Sequence, residues 1–303
     1  MKGTEASGLK YKSLLKLTRP YNVIFGSLTA PVGAYIAYNG EWDIAVTQII
    51  ILQTLAVGSF IAFGNVFNDI IDYESDKINH PLRPIPSGEI TINTAKITVL
   101  ICAIMSLSLT LFGTYTLVNS EGGNWIPVST IWCIAFLLML TYEIGPKTKN
   151  IALVGNSSIS LMVGLVIIFG AASLDSIDNG LIWYVGGVAF LVNLAREIIK
   201  DVEDIDGDKD RKTLPMIITK RAARIISWFL CLAAIILLAI PYYSGLLALS
   251  SIIFQLPTLI VLLRLNIPLN IGDDTKSQKQ MKIGMSLGLL GFLLSVLYER
   301  LII

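Results

Sequence analysis

The chain has 303 residues, of which 54% are hydrophobic and 15% are charged, and its formal net charge at pH 7 is +1. This small fraction of charged residues cannot supply the polar surface that a soluble domain needs. A soluble globular protein is therefore excluded. The composition predicts an all-α polytopic membrane protein, folded as one domain over residues 1–303 and surrounded by membrane lipid. The sequence suggests neither a nucleic-acid partner nor an obligatory protein partner.

Nine apolar stretches have about the 17 to 25 residues that span a bilayer core. We predict transmembrane helices at residues 22–39, 46–67, 96–118, 126–142, 151–173, 181–197, 223–246, 247–264 and 281–299. The seventh and eighth are separated only by a short Pro-Tyr-Tyr-Ser-Gly turn. We expect one bundle of two similar four-helix halves followed by a final helix.

Lysine and arginine are distributed unevenly between the two ends of these predicted helices. Of the 23 basic residues, all except Arg300 lie before the first helix or around the connections after the second, fourth, sixth and eighth. Cytoplasmic loops of membrane proteins carry this positive excess. The N-terminus is therefore predicted to be cytoplasmic, and the protein to be a multi-pass component of the cell membrane.

The second predicted helix runs directly into an acidic segment at residues 68–76. At helical spacing Asn68, Asp72 and Asp76 advance by about 40° per step and project from one face. Carboxylates stacked in this way repel one another unless a cation lies between them. A proline-rich loop containing Arg83 follows and cannot continue the helix. We expect residues 68–95 to cover one side of a cavity mouth.

Four further polar residues lie near or within predicted helices. Tyr142 ends the fourth helix, and Lys147 follows it in a Gly-Pro-Lys turn. An aromatic face can stabilise a cation, although an interfacial tyrosine occupies the same position. Asn22 and Asn156 interact either with a substrate or with a neighbouring helix.

The sixth predicted helix runs into a second acidic segment, in which four carboxylates spread over only about 60° of a helix: Glu197, Asp201, Asp204 and Asp208. Both acidic segments follow even-numbered helices and therefore emerge on the same, cytoplasmic side. We predict that they face each other across the bundle, and that residues 197–222 cover the other side of the mouth.

The residue types at this mouth favour magnesium and phosphate chemistry. Oxygen ligands without thiolate or imidazole suit Mg²⁺. Two carboxylate sets could hold two ions, which would jointly bind a diphosphate and make it a good leaving group. Six basic residues are available to bind phosphate, although topology alone also explains such charges: Lys77, Arg83, Lys147, Lys200, Arg211 and Lys212.

These segments resemble the signatures of the UbiA superfamily of intramembrane prenyltransferases. Residues 68–88 are similar to its first signature, residues 196–208 and 211–215 to its second, and residues 142–147 to its tyrosine-and-lysine segment. The resemblance implies a nine-helix bundle that transfers a prenyl group from an isoprenyl diphosphate to a lipophilic or aromatic acceptor. It implies that seven residues bind two Mg²⁺ ions and the diphosphate, although many members carry Asp at the position of Glu197: Asn68, Asp72, Asp76, Glu197, Asp201, Asp204 and Asp208.

The resemblance also bears on the acceptor. Residues 78–88 and 196–204 are most similar to archaeal members that form the second ether bond of membrane lipids. In that reaction a geranylgeranyl group is transferred to the free hydroxyl of geranylgeranylglyceryl phosphate. Quinone-type members share most of these residues and alkylate an aromatic ring, so aromatic prenyl transfer is the alternative.

Two other classes of membrane protein also use repeated acidic residues. A cation transporter with inverted repeats would place its paired motifs in opposite orientations, whereas both segments here emerge on one side. A Mg²⁺-dependent lipid phosphatidyltransferase would carry an Asp-Gly pair leading into an Ala-Arg segment, which this sequence lacks. Both classes are therefore disfavoured.

Overall fold

The computed structural model describes residues 11–205 and 212–302, and its regular elements within these ranges are helices. In chain order the α-helices are α1 (residues 11–18), α2 (Pro20–Ser27), α3 (Thr29–Ala37), α4 (Ile44–Ile71), α5 (Tyr73–Asn79), α6 (Ile92–Glu121), α7 (Ile126–Glu143), α8 (Ala152–Ala172), α9 (Gly180–Asp204), α10 (Leu214–Ile217), α11 (Lys220–Tyr243), α12 (Leu256–Leu263), α13 (Asn266–Ile271) and α14 (Asp274–Ile302). Two 3₁₀ segments cover Thr148–Asn150 and Leu249–Gln255. The prediction of an all-α fold is confirmed for the described ranges.

Within the described residues, eight helical segments are long and apolar enough to cross a membrane. They correspond to the second through ninth predicted helices. The first prediction, 22–39, falls on α2 and α3, each of which is too short to cross alone. The two are separated only at Leu28, whose φ of −66° and ψ of −14° remain in the right-handed helical region. Pro31 lacks the amide hydrogen that would continue the hydrogen-bond ladder across this point.

The eighth predicted helix, 247–264, is not one continuous α-helix in the structure. The chain enters this region through the 3₁₀ segment Leu249–Gln255 and continues as the short helices α12 and α13. Pro257 and Pro268 lie near the starts of these helices, where a missing amide hydrogen is tolerated. The turn predicted at residues 241–245 begins later than expected, because α11 continues through Pro241 to Tyr243 and the chain turns at Ser244 and Gly245.

Similar helix pairs pack together in the first and second halves of the chain. In the first half α4 packs along α6, and in the second half α9 packs along α11, while α3 and α8 contact each other between the halves. The final helix, α14, packs against α9. Fully buried side chains such as Ile182, Leu238 and Phe292 belong to the resulting central core.

Two glycines allow α3 and α8 to approach closely. A Cβ atom on Gly33 would lie 2.1 Å from the carbonyl oxygen of Ile167, and one on Gly170 would lie 1.9 Å from that of Ala30. Small residues permit such close backbone contact between helices in a membrane. This contact joins the two halves and helps to position the cavity described below.

We predict that Gly170→Ala lowers the stability of the protein by about 1–3 kcal/mol, because the new methyl group would overlap backbone atoms and push α3 and α8 apart. Thermal unfolding of the purified protein in detergent measures the change in Tm. Gly180→Ala is the matched control, because a Cβ there would have no atom within 4 Å. Equal Tm values for the two variants would contradict the prediction.

Candidate active site

A cavity of about 540 Å³ opens among α2, α4, α7, α8, α9 and α14. Its deeper wall is apolar and aromatic, and includes Val57, Phe60, Ile131, Trp132, Met162, Val166 and Phe169. Its other end carries polar and charged side chains from the ends of the helices: Arg19, Asn22, Asn65, Asn68, Tyr142, Glu143, Asn193, Arg196, Glu197, Lys200 and Lys282. The cavity therefore suits a ligand with a polar or anionic head and an apolar tail.

Asn68 and Asp72 belong to a buried ionic network that also includes two residues outside the predicted site. The Asn68 Nδ2 atom donates to Asp72 Oδ2 at 2.9 Å and to Glu143 Oε1 at 2.7 Å. The Lys149 ammonium is 2.7 Å from Asp72 Oδ1 and 2.5 Å from Glu143 Oε2. The Lys149 and Glu143 side chains are only 4% and 1% exposed. Lys149 therefore compensates two carboxylates that would otherwise repel each other.

The other acids of the first segment form a second network. Helix α4 ends at Ile71, and Asp72 caps it with φ −87° and ψ 9°, so the helix through residues 68–76 is interrupted. Asp76 is buried and its carboxylate lies 2.5 Å from Arg83 Nη1. Buried Asp69 pairs with both Arg19 and Arg83. The structure thus brings Asn68 and Asp72 together and pairs Asp76 with the predicted phosphate-binding Arg83.

The second acidic segment lies at the end of α9. Asp201 accepts a hydrogen bond from Asn156 Nδ2 at 2.8 Å, which links the segment to α8. Glu197 lines the cavity, pairs with Arg196, and is 4.0 Å from Lys200 Nζ. Asp204 ends α9 with an exposed side chain. The predicted ligand Asp208 lies outside the described residues.

The remaining predicted residues are placed at different distances from the cavity. Asn22 and Tyr142 line it. Lys147 is exposed and adopts a left-handed conformation with φ 47°. Lys212 is exposed, and its carbonyl oxygen accepts the Ala152 amide at 3.0 Å. Arg211 lies outside the described residues.

Lys77 is occupied locally, outside the cavity lining. Its ammonium donates to Glu74 at 3.1 Å and lies 4.1 Å from the centre of the Tyr73 ring. The hydrogen bonds to Glu74 raise the pKa of Lys77 above its ordinary value. At neutral pH Lys77 therefore remains a cation.

Sequence reasoning missed several charged residues of the site. Glu143 directly follows Tyr142, and Lys149 lies two residues beyond Lys147, so both adjoin predicted site residues. The distribution of basic residues predicts only a topological role for Arg196 and Lys282. The only sign of these residues in the sequence is a charged side chain next to the end of an apolar helix. Whether such a side chain faces the cavity depends on how the helices pack.

The donor set is compatible with a magnesium ion. Within residues 11–205 and 212–302, no three acidic, histidine or cysteine side chains are grouped closely enough to hold a metal ion. Asp72 and Glu143 nevertheless converge on a single cation, the Lys149 ammonium, and Asn68 donates a hydrogen bond to each of these carboxylates. Their oxygen atoms are the hard ligands that Mg²⁺ prefers, and Mg²⁺ commonly completes its shell with water and substrate phosphate.

Comparison with characterised proteins reveals full-length relatives. The chain is 32% identical to the digeranylgeranylglyceryl phosphate synthase of Methanopyrus kandleri, covering 94% of this chain and 100% of the relative. It is 31% identical to the synthase of the same name from Pyrococcus abyssi, covering 95% and 99%.

Solved structures have the same fold. A structure described as digeranylgeranylglyceryl phosphate synthase in membranes is 31% identical and superimposes with a TM-score of 0.75, over 95% of this chain and 98% of the other. A UbiA homologue from Archaeoglobus fulgidus, bound to DMAPP and Mg²⁺, is 19% identical with a TM-score of 0.68 over 92% and 99%. The family model of the UbiA prenyltransferases matches residues 26–290. The chain therefore belongs to the UbiA prenyltransferase family.

Proposed function

We propose that this prenyltransferase carries out Mg²⁺-dependent transfer of a geranylgeranyl group from geranylgeranyl diphosphate to the hydroxyl of geranylgeranylglyceryl phosphate. The observation that carries the proposal is the cavity, which combines a charged end with an apolar wall. Full-length relatives at 31–32% identity are named digeranylgeranylglyceryl phosphate synthases, which supports this acceptor.

We assign the charged end to the diphosphate and to two Mg²⁺ ions. The proposed metal ligands are Asn68, Asp72, Asp76, Glu197, Asp201, Asp204 and Asp208. The proposed phosphate-binding residues are Asn22, Lys77, Arg83, Lys200, Arg211 and Lys212. When bound, Mg²⁺ would neutralise charge on the diphosphate and so improve it as a leaving group. The DMAPP and Mg²⁺ bound together in the Archaeoglobus fulgidus homologue agree with this cofactor.

The apolar wall is assigned to the prenyl tail. Phe60 and Trp132 line the cavity, with ring centres 6.3 Å apart, and Phe136 stacks on Trp132 at 5.2 Å. Such a wall excludes water and presents aromatic faces to an allylic cation. We infer that Tyr142, at the boundary between wall and charged end, faces the reacting carbon, and we retain Lys147 as a catalytic candidate.

The reaction breaks the bond between the allylic carbon and the diphosphate oxygen. Both bonding electrons leave with the diphosphate, and the acceptor hydroxyl oxygen supplies the pair that forms the new ether bond. The hydroxyl proton passes to the released diphosphate, which is the base that the reaction itself supplies. The protein orients the two substrates, excludes water from the cation and holds the departing charge at the polar end.

We further propose that the chain crosses the membrane nine times, with a cytoplasmic N-terminus. Helices α2 and α3 together would form the first crossing, which adds one to the eight long segments. The charged end of the cavity would then open to the cytoplasm, because it lies at the ends of α4, α7 and α9 that adjoin the lysine- and arginine-rich connections.

The acceptor is tested by transfer of labelled geranylgeranyl groups with purified protein in lipid. We expect Mg²⁺-dependent product with geranylgeranylglyceryl phosphate and none with an aromatic quinone precursor. Product only with the aromatic compound would leave the proposed prenyl transfer standing but would show that the acceptor is aromatic. Heat-inactivated protein and omission of Mg²⁺ are the controls.

Asp72→Asn is predicted to lower kcat/KM for prenyl transfer by roughly 100-fold or more, because it removes a charge that would support the metal and diphosphate. Steady-state turnover at saturating Mg²⁺ measures the loss. Asp175→Asn is the matched control, because Asp175 lies in the loop between α8 and α9 and is not part of the cavity lining. Full activity of Asp72→Asn would exclude the proposed role of the first acidic segment.

Lys149→Met is predicted to destabilise the protein by about 3–5 kcal/mol, because it leaves Asp72 and Glu143 without their shared buried cation. A thermal melt in detergent measures the loss. The control is Lys147→Met, since an exposed side chain contributes within about 0.5 kcal/mol. Addition of Mg²⁺ with a diphosphate substrate should restore part of the lost stability, and an unchanged Tm for Lys149→Met would refute the network.

A further inference from the structure

One side of the cavity carries two cations, Arg196 and Lys282, beside Lys200, which is already assigned to the diphosphate; the proposed diphosphate and metal ligands do not account for these two. Arg196 and Lys200 lie near the end of α9, and Lys282 lies near the start of α14; all three line the cavity. Helices α9 and α14 pack against each other. The only carboxylate among these lining residues on the same side is Glu197, so the described side chains there carry an excess of two positive charges.

Part of this positive charge is not compensated by the protein. Arg196 donates to Glu197 and, at 3.4 Å, to Asn193 Oδ1. Its Nε atom is buried and has no hydrogen-bond partner among the described residues. A buried donor without a partner, such as Arg196 Nε, costs about 1–3 kcal/mol, which a bound anion would recover. Lys282 is exposed at the cavity, and its ammonium takes part in none of the ion pairs found among the described residues.

Membrane topology explains why basic residues occur at this end of the helices. It does not explain why the side chains of Arg196 and Lys282 point into the cavity. Lys279 lies one helical turn before Lys282 on α14; both residues are exposed, but Lys282 lines the cavity and Lys279 does not. Either position would serve as a topology signal. The side chains of Arg196 and Lys282 instead line a cavity, where an intramembrane charge normally marks a substrate site.

We propose that Arg196 and Lys282 bind the phosphate group of the glyceryl phosphate acceptor. The proposal rests on the proposed function, because that acceptor brings a phosphate group to the site in addition to the donor diphosphate. In glyceryl phosphate lipids of this kind the reacting hydroxyl and the phosphate are on neighbouring carbon atoms. The acceptor phosphate must therefore enter beside the donor diphosphate, and the two anions repel each other unless each has its own cations.

The two residue types suit this role. A guanidinium group can donate two parallel hydrogen bonds to phosphate oxygens, whereas an ammonium group acts as a compact point charge. Asn68 lies on α4, Asp72 caps that helix and Glu143 ends α7, and all three are neutral or acidic. The cavity would thus hold the donor diphosphate and metal ions toward the proposed acidic ligands and Lys200, and the acceptor phosphate between Arg196 on α9 and Lys282 on α14.

The test is Lys282→Gln, assayed with geranylgeranyl diphosphate and with the acceptor in its phosphorylated and dephosphorylated forms. We expect KM for the phosphorylated acceptor to rise roughly tenfold or more, with KM for the donor unchanged. The preference for the phosphorylated over the dephosphorylated acceptor should fall by the same factor. Lys279→Gln is the matched control and should behave as the wild type.

Arg196→Lys provides a second variant, since it keeps the charge and removes the paired donors. It should also raise KM for the phosphorylated acceptor, and circular dichroism and thermal unfolding would show that both variants remain folded. A rise in donor KM instead, or no change in either KM, overturns the assignment while the proposed function stands. Failure of the wild-type protein to use the glyceryl phosphate at all overturns the proposed function, and the acceptor site with it.

Discussion

The site depends on the compensation of buried charge at one end of an apolar bundle. Lys149 lies between Asp72 and Glu143, and Asn68 hydrogen-bonds to both carboxylates. Removing any one partner would leave a charge or a polar group in a poorly solvated environment. The same requirement applies to Asp69 and Asp76, which share Arg83. These networks join α4 to α7 and to the loop after α5, so the geometry of the charged end follows from electrostatic pairing as well as from helix packing.

The two ends of the cavity differ in polarity, and each end suits a different part of the substrates. Its aromatic wall can accommodate an isoprenoid tail without specific polar contacts, since apolar burial is largely non-directional. Recognition must therefore occur at the polar end, where polar side chains from α2 and α4 meet charged side chains from α7, α9 and α14. A prenyl donor and an anionic lipid acceptor both have their reactive groups next to a charged head. Placing both heads at one end positions the reacting atoms together, and the apolar wall excludes the water that would compete with the acceptor.

The networks also explain why the acidic side chains of the first segment are not arranged as their regular helical spacing predicts. Residues 68, 72 and 76 share one face of an ideal helix, but Asp72 caps α4 and the chain restarts as α5. Asp76 then pairs with Arg83, fourteen residues beyond Asp69 in the loop that follows. Spacing identifies which residues belong to a signature. It does not specify which basic side chain each acid pairs with, because these partners approach from separate helices and loops.

The membrane class, the all-helical architecture and the two segments around which the site is built are predictable from the amino-acid sequence, because apolar length and helical periodicity are local properties of the chain. The sequence also indicates Asn22, Asn68, Tyr142, Glu197 and Lys200, which line the cavity. The folded structure was needed to show that Lys149 is buried between two carboxylates while Lys147 is exposed, and that Arg196 and Lys282 from distant helices share one side of the cavity. The physical reason is that burial and charge pairing depend on how helices far apart in sequence rotate and pack against one another.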